Sequence, residues 1–590
     1  MSKLDDNAPS AAPTILRLAV DRFRGIESLK WYPSGGVNVV LGGGDVGKSA
    51  ILDAIALLLA PINGSVLSDT DYWQRKPEDE FTIEAVVRLP GGRSINTQSK
   101  PAWPWCWDGK DPQVPALNED GQQTANDPAY LIRVRGTADF DLVYEVLQPN
   151  GQADHLSVAV RRAIGIVRLG GDDRNDRDLR MVQGSALDRL LYDKTLRARL
   201  GHKVAGTDVE AVLHPDSKAK LGELDGAFAK RALPDGLGLG IATNQTQSLN
   251  ALIGLTANKG GVELPLSTWG SGTRRLAALE VASANQDADP IVVVDEVERG
   301  LEPYRLRALL HRLQLGASQV FLTTHSATAL RALSKASLWF MDSKGDIGAL
   351  SEIVIKHATQ EPEALLSRLT ILCEGKTEVG FVRELLRREL GMAAMDHGVW
   401  LANVGGNDQT LLMLEALSKS GLMFGGFADE EGTSPDRWAA QKLALGPLLF
   451  RWAKGCTEAN VIQHVAENDL AKLIQHPELE GERLRILADR AGVETKSLEA
   501  ITAARPDLRQ LLVEAATCFI PADTSKLPRF ETKAWKRHGE RWFKTEEGGQ
   551  ELASKAVLLQ ALPALGDDLP NFIAAVRAAI GLPPPERGHA

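Results

Sequence analysis

Only four cysteines occur in 590 residues, Cys106, Cys373, Cys456 and Cys518. They are widely separated and form no CxxC pair, which excludes a disulfide framework and a zinc finger and leaves reduced thiols as the default. Long apolar runs are missing too: stretches such as Ile291–Val294 are far too short for a bilayer, and Met1–Pro13 is polar and acidic without a basic-then-apolar pattern. A cytoplasmic protein with no membrane partner is expected. A net positive charge is also absent, since 67 Lys and Arg stand against 77 Asp and Glu, a balance of -10. Nucleic-acid affinity comes from cations that neutralise phosphates, so any DNA contact needs a local basic patch or a bound metal. No tyrosine follows Tyr304, and no heptad array offers long coiled-coil arms.

What is present is an ordinary globular composition, 44% hydrophobic and 24% charged, in a chain long enough for roughly three or four folded units. Residues 14–170 read as short β runs, Ile15–Phe23, Gly36–Leu41 and Phe81–Leu89, around one strong helix at Ser49–Leu59. Residues 171–245 turn helical and charge-rich. From Leu266 to about Gln360 helix and strand alternate again, and after Pro362 a second strand-helix pattern begins at Leu369. The expectation is an α/β chain: a split P-loop domain at 1–170 and 246–362, a helical insertion at 171–245, and an α/β domain with helical elements at 363–590.

Val37–Leu41 has a strand's composition and runs into Gly42-Gly43-Gly44-Asp45-Val46-Gly47-Lys48-Ser49, a complete P-loop. Gly42, Gly44 and Gly47 let backbone N–H groups turn toward phosphate, Lys48 reaches the β/γ oxygens, Ser49 ligates Mg²⁺, and the following helix points its positive end inward. ATP with one Mg²⁺ is therefore the expected cofactor. Ile291–Val294 is an apolar strand ending in Asp295, placed for the Mg²⁺, and Glu296, placed to polarise the attacking water. Ser271-Gly272 opens a helix whose N-terminus suits a γ-phosphate, and His325 ends another strand where it can sense one.

Downstream, Leu369–Cys373 reads as a buried strand that ends at Glu374-Gly375-Lys376-Thr377-Glu378 before a helix; one helical turn separates Glu378 from Glu374, so both can converge on a cation. Gly425–Ala428 is a second strand, ending in Asp429-Glu430-Glu431, with Asp429 and Glu431 on one face by strand alternation. One acidic strand end is an ordinary solvated edge. Acids gathered from several are what a pair of Mg²⁺ or Mn²⁺ ions needs to cut a phosphodiester. Lys533, Lys536, Arg537, Arg541 and Lys544 form a basic run with Trp535, Trp542 and Phe543 between them, suited to a DNA backbone and stacked bases. Trp103-Pro104-Trp105-Cys106-Trp107 has no cations beside it and reads as a packed hairpin.

In order and spacing the first set of motifs resembles the ABC/SMC-like ATPases, and Phe23-Arg24-Gly25-Ile26 with Leu52-Asp53-Ala54 resembles the OLD (overcoming lysogenization defect) branch. Glu-Gly-x-x-Glu and Asp-x-Glu resemble the Toprim fold, a Rossmann-like α/β domain. The resemblance implies an ATP-hydrolysing, two-metal DNA endonuclease that forms a homodimer through the ATPase and the helical insertion, with Ser271 and Gly272 contacting ATP on the partner chain. It further implies Glu458 as another metal-binding acid and Lys544 as the lysine that stabilises the scissile phosphate, with Glu374 catalytic as well as ligating. Phage defence or DNA repair, and a neighbouring UvrD-like helicase, are implied in the same way. The chain departs from the family at Asp45 and at Glu431, where Asp is common, and no glutamine is assignable to a metal-sensing loop. A topoisomerase needs a tyrosine nucleophile, which the 363–590 domain lacks, so unless the ATPase side donates one, water is the expected nucleophile. The alternative is an SMC-like DNA-binding ATPase or recombination mediator without nuclease activity.

Overall fold

The computed structural model describes residues 12–583 apart from 45, 62–65, 93–94, 97, 117–124, 126, 170–176, 183–184, 192–214, 216–218, 220–252, 285–288, 343, 419, 421 and 518–536. The expected insertion at 171–245 therefore lies mostly outside the described residues, as do Asp45, Lys533, Trp535 and Lys536. The chain divides into two units, Met1–Asn38 with Ser49–Thr324, and Val39–Lys48 with His325–Ala590. Among the described residues no helix is long and apolar enough to cross a membrane.

In the first unit, β1 (Thr14–Phe23) and β2 (Ile26–Trp31) form a hairpin. After β3 (Val37–Gly42), which carries the division between the units, and the helix Lys48–Leu58, the sheet resumes with β4 (Phe81–Arg88), β5 (Trp105–Trp107), β6 (Pro112–Gln113), β7 (Pro128–Gly136), β8 (Leu142–Leu147) and β9 (Ala153–His155). The order is β2-β1-β4-β7-β5-β6, with β8 on β7 and β9 on β8. The tryptophan-rich segment is the packed hairpin expected of it: Trp105 donates its indole N–H to Leu147 O at 2.8 Å and packs with Trp107 against Val86, Ala129 and Leu131.

A parallel group follows, β10 (Ile166–Leu169), then β13 (Ile291–Val294) and β14 (Val320–Thr323), after a hairpin of β11 (Thr256–Lys259) and β12 (Val262–Pro265). All four residues of β13 are buried, as a strand covered on both faces requires. The buried Gln319 amide ties Ile15 from both sides, its oxygen accepting from Ile15 N at 2.7 Å and its nitrogen donating to Ile15 O at 3.0 Å.

In the second unit β15 (Ser337–Met341) and β16 (Ile347–Ala349) form a hairpin beside β3. A fully parallel sheet comes next, β17 (Leu369–Cys373), β18 (Val399–Asn403), β19 (Phe424–Ala428) and β20 (Leu449–Arg451), in the order β18-β17-β19-β20. Between β17 and β19 the winding reverses, and such a reversal opens a crevice at the carboxyl ends of the strands. Glu374 follows β17 and Asp429 follows β19. Beneath them Phe381, Phe427, Phe450, Trp452 and Phe572 pack edge-on and stacked in one aromatic core.

The helix Lys376–Leu390, which ends on Gly391 in the left-handed conformation (φ 72°), crosses the helix Glu546–Leu558 at backbone contact. A Cβ on Gly549 would lie 2.1 Å from Thr377 O, and one on Gly380 would lie 1.9 Å from Glu546 O. Alanine normally strengthens a helix by about 1 kcal/mol over glycine. Here Gly549→Ala is expected to destabilise instead, by the roughly 1–3 kcal/mol of an overpacked core, a drop of several degrees in melting temperature. Thermal unfolding by circular dichroism reads the sign, and an unchanged or higher midpoint contradicts the crossing.

Candidate active site

The P-loop glycines take backbone conformations only glycine tolerates well: Gly42 has φ 150° and Gly47 φ 105°. A side chain at Gly42 would meet the Met341 carbonyl 2.5 Å away. Lys48 is buried and its ammonium donates to the carbonyls of Gly42, at 3.1 Å, and Gly43. Gly44 and Ser49 are exposed at the loop surface and at the first turn of the helix Lys48–Leu58. Along that helix Asp53 pairs with Arg24 from the β1–β2 turn and with Arg168 from β10. The resemblance rested on both segments that carry Arg24 and Asp53.

Asp295 follows β13, its Oδ1 accepting from Thr323 Oγ at 2.6 Å, while Thr323 Oγ accepts from Glu296 N at 2.8 Å. Glu296 adopts φ 47°, a conformation rare for a non-glycine residue, and pairs with Arg299 at 3.2 Å. Ser271 and Gly272 open the helix Ser271–Ala284 against the 298–301 turn of the same chain, where a Cβ on Gly272 would lie 2.1 Å from Gly300 O. The buried Arg275 holds that turn by donating to the carbonyls of Asp295 and Arg299. His325 is exposed just beyond β14.

The second constellation is buried. Glu374, Glu378, Asp429 and Glu458 all lie beneath the surface, and Lys544 pairs with Glu458 at 2.8 Å. Glu374 is fixed by its surroundings: its Oε2 accepts from Asn407 Nδ2 at 2.8 Å and from Asp429 N at 2.9 Å, and its carbonyl accepts from Gly405 N and Gly406 N. Those two glycines, at φ 86° and 129°, make that turn possible. Asp429 Oδ1 accepts from Thr457 N at 3.0 Å and Thr457 Oγ at 3.1 Å, at the start of the helix Thr457–His464. Glu458 Oε1 faces Lys544 and the Thr377 hydroxyl, 3.0 Å away.

Burial, and next the negative charge of neighbouring acids, raises the carboxyls of Glu378 to about 7 and Asp429 to about 9, against the pull of Lys544. Burial lowers the affinity of Lys544 for its proton, but Glu458, Cys456 and Glu378 outweigh it and hold the ammonium charged. Glu378 Oε1 and Glu458 Oε2 are buried without a hydrogen-bond partner. Such oxygens cost roughly 1–3 kcal/mol each when left unpaired, more when charged. Carboxylate oxygens that repel one another and lack donors fit Mg²⁺ or Mn²⁺, hard ions that take oxygen ligands.

A carboxyl whose folded pKa is raised contributes stability below the ordinary carboxylate range and loses it as pH climbs through the folded value. Without divalent ions, the melting temperature is therefore expected to fall between about pH 5 and pH 9 as Glu378 and then Asp429 are forced to ionise. Millimolar Mg²⁺ or Mn²⁺ should restore most of the loss at the alkaline end. Scanning calorimetry with and without a chelator checks both; a metal-independent midpoint across that range counts against the ion site.

Three sequence expectations need correction. Glu431 does not share a strand face with Asp429, because β19 ends at Ala428; it is exposed on the following turn, where partial burial and the charge of Glu374 raise its pKa. Glu374 and Glu378 are not one helical turn apart, since Glu374 precedes the helix that starts at Lys376. Trp542 and Phe543 are not open to bases: they are 1% and 0% exposed, covered by the Arg483 guanidinium at 5.1 and 5.2 Å from their rings. Arg483 also donates to Arg541 O at 3.1 Å and pairs with Glu551 at 2.7 Å, clamping the segment that presents Lys544. Sequence reasoning missed Asn407, Thr377 and Thr457; the only signal was their place beside Gly-Gly or the acidic motifs.

A family model described as "AAA domain, putative AbiEii toxin, Type IV TA system" matches residues 37–331. Over 417 residues the chain is 23% identical to the uncharacterized protein YbjD of Escherichia coli strain K12, covering 63% of this chain and 72% of that protein. Among solved structures, an Smc head domain with a coiled coil and joint from Pyrococcus yayanosii is similar over 60% of this chain and 100% of that one, at 12% identity and a TM-score of 0.35. The recombination mediator protein RecF in its ATPrS form is similar over 58% of this chain and 100% of that one, at 16% identity and a TM-score of 0.29.

Proposed function

The chain belongs to the AAA-domain family matched by residues 37–331, and from that premise for its P-loop half and the buried acids of its other half we propose an ATP-hydrolysing, metal-dependent DNA endonuclease of the OLD type. The observation that carries the nuclease reading is the pair of buried, unpartnered carboxylate oxygens on Glu378 and Glu458 beside Asp429, with Lys544 as counter-charge. The reversal of winding between β17 and β19 supports a Toprim-type domain, since both acidic motifs follow strands that flank it.

In the P-loop half Lys48 would exchange its glycine carbonyls for the β/γ-phosphate oxygens, Ser49 and Asp295 would hold the accompanying Mg²⁺, and Glu296 would polarise water. Ser271 and Gly272 would meet the γ-phosphate of ATP bound by a second copy, and His325 would sense it. In the other half Glu374, Glu378, Asp429 and Glu458 would hold divalent ions, with Glu431 reaching in from the exposed turn. Bound there, two such ions supply an activated water and a counter-charge for the leaving oxygen. Asn407 keeps Glu374 aimed at the crevice, and Lys544 offers its charge to the scissile phosphate. DNA is the proposed substrate, a homodimer the proposed assembly and phage defence or DNA repair the proposed role.

A non-cleaving DNA-binding ATPase is the second reading, favoured by the Lys544–Glu458 pair, which gives one acid a counter-charge without any metal. Incubation of supercoiled and linear DNA with the protein in Mg²⁺ or Mn²⁺, with and without ATP, separates the two. Metal-dependent nicking or linearisation is expected, abolished by a chelator. DNA left intact under every condition overturns the nuclease reading.

A further inference from the structure

We propose that Asp429, Cys456 and Glu458 form a binding site for a thiophilic divalent cation, with Zn²⁺ as the type and the Cys456 sulfur as a direct ligand. Cys456 Sγ and one carboxylate oxygen from each acid lie within 4.8 Å of one another. An independent observation points to a ligand there: Glu458 is fully buried, yet its Oε2 has no hydrogen-bond partner while Oε1 is held by Lys544. Cys456 caps the helix Thr457–His464 and Glu458 stands in its first turn, so the thiol and the carboxylate are carried on one rigid element. Thr457, between them, fixes Asp429 through its N–H and hydroxyl.

The sulfur changes which ion the cluster prefers. Carboxylates alone suit Mg²⁺ and Mn²⁺, whereas a thiolate selects Zn²⁺ and other softer ions. Two oxygens and one sulfur leave a fourth tetrahedral position for water, as in zinc sites that bind an exchangeable ligand. The Cys456 thiol, and the Asp429 carboxyl where it is protonated, must each release a proton to solvent on binding. The charges then balance: two carboxylates and a thiolate face a dication and the Lys544 ammonium. The inference rests on the buried acids invoked for the nuclease reading, but not on DNA cleavage.

Cobalt is the probe, added to the full-length protein without DNA or ATP. The parent is expected to develop the near-ultraviolet thiolate-to-cobalt charge-transfer band, displaced by Zn²⁺, and Cys106→Ser should keep it. Cys456→Ser should lose it and bind Zn²⁺ at least about 100-fold more weakly, the upper end for loss of even an outer-shell partner. No band in the parent, or an undiminished band in C456S, overturns the proposal. A measurement without variants guards against misfolding: Zn²⁺ should slow alkylation of Cys456 in the parent, mapped by peptide mass, and leave Cys106 unaffected, whereas equal alkylation of Cys456 overturns the site. Intact plasmid with a cobalt band refutes the nuclease reading alone; cleavage without the band refutes this one alone.

Discussion

Asp429→Asn is expected to abolish metal-dependent DNA cleavage while raising the melting temperature of the metal-free protein. Burial raises the Asp429 pKa most, and Glu378, Glu458 and Glu374 around it raise it further. The asparagine keeps an oxygen for Thr457 and is neutral at every pH, so the cost of holding a buried carboxyl protonated, or of ionising it among other acids, disappears and the fold gains. Cleavage loses at least ~10³-fold, since a metal site supplies several kcal/mol of transition-state stabilisation and each 1.36 kcal/mol is a factor of ten. Opposite movements of activity and stability mark a site that trades one for the other. Glu374→Ala should lose cleavage to a similar extent without the gain, because the Asn407 amide and the Asp429 N–H both lose their acceptor. Plasmid cleavage and thermal melts check both variants, and parent-like cutting by either one removes the assigned site.

Lys48→Ala should abolish ATP hydrolysis, a fall of about 10²–10³-fold or more, the scale for removing one preorganised group from a developing charge. The ammonium lies against the Gly42 and Gly43 carbonyls, so it is already beside the loop whose N–H groups would face a bound phosphate. The glycine conformations do not depend on it, and the fold is expected to survive. Phosphate release at saturating ATP measures the effect, with a melt as control; unchanged turnover refutes the P-loop assignment.

The first of these sites was the more legible. A P-loop is contiguous, and its strand, glycines, lysine and helix announce themselves in eight residues, so β3 and the helix Lys48–Leu58 fall where composition puts them. Strands β17 and β19 were equally plain, because buried parallel strands read as unbroken apolar runs. The groups that organise the acids were not. Thr377 meets Glu458 across 81 positions and Asn407 meets Glu374 across 33, and no local pattern records such a pairing. Trp542 and Phe543 were misread because an aromatic pair among cations looks the same whether it stacks on bases or lies under an arginine. Glu431 was misread because strand alternation was carried past the residue where the strand stops.

The pairing of Lys544 with Glu458 has a consequence for synthesis on the ribosome. Glu374, Glu378, Asp429 and Glu458 are all translated well before the lysine that offsets them. Until residue 544 is added the four acids lack Lys544 as a counter-charge, and the helix Glu546–Leu558 that packs against Thr377 has not yet been made. On the proposed nuclease reading, a chain that stops before residue 544 lacks the lysine assigned to the scissile phosphate and is expected not to cut.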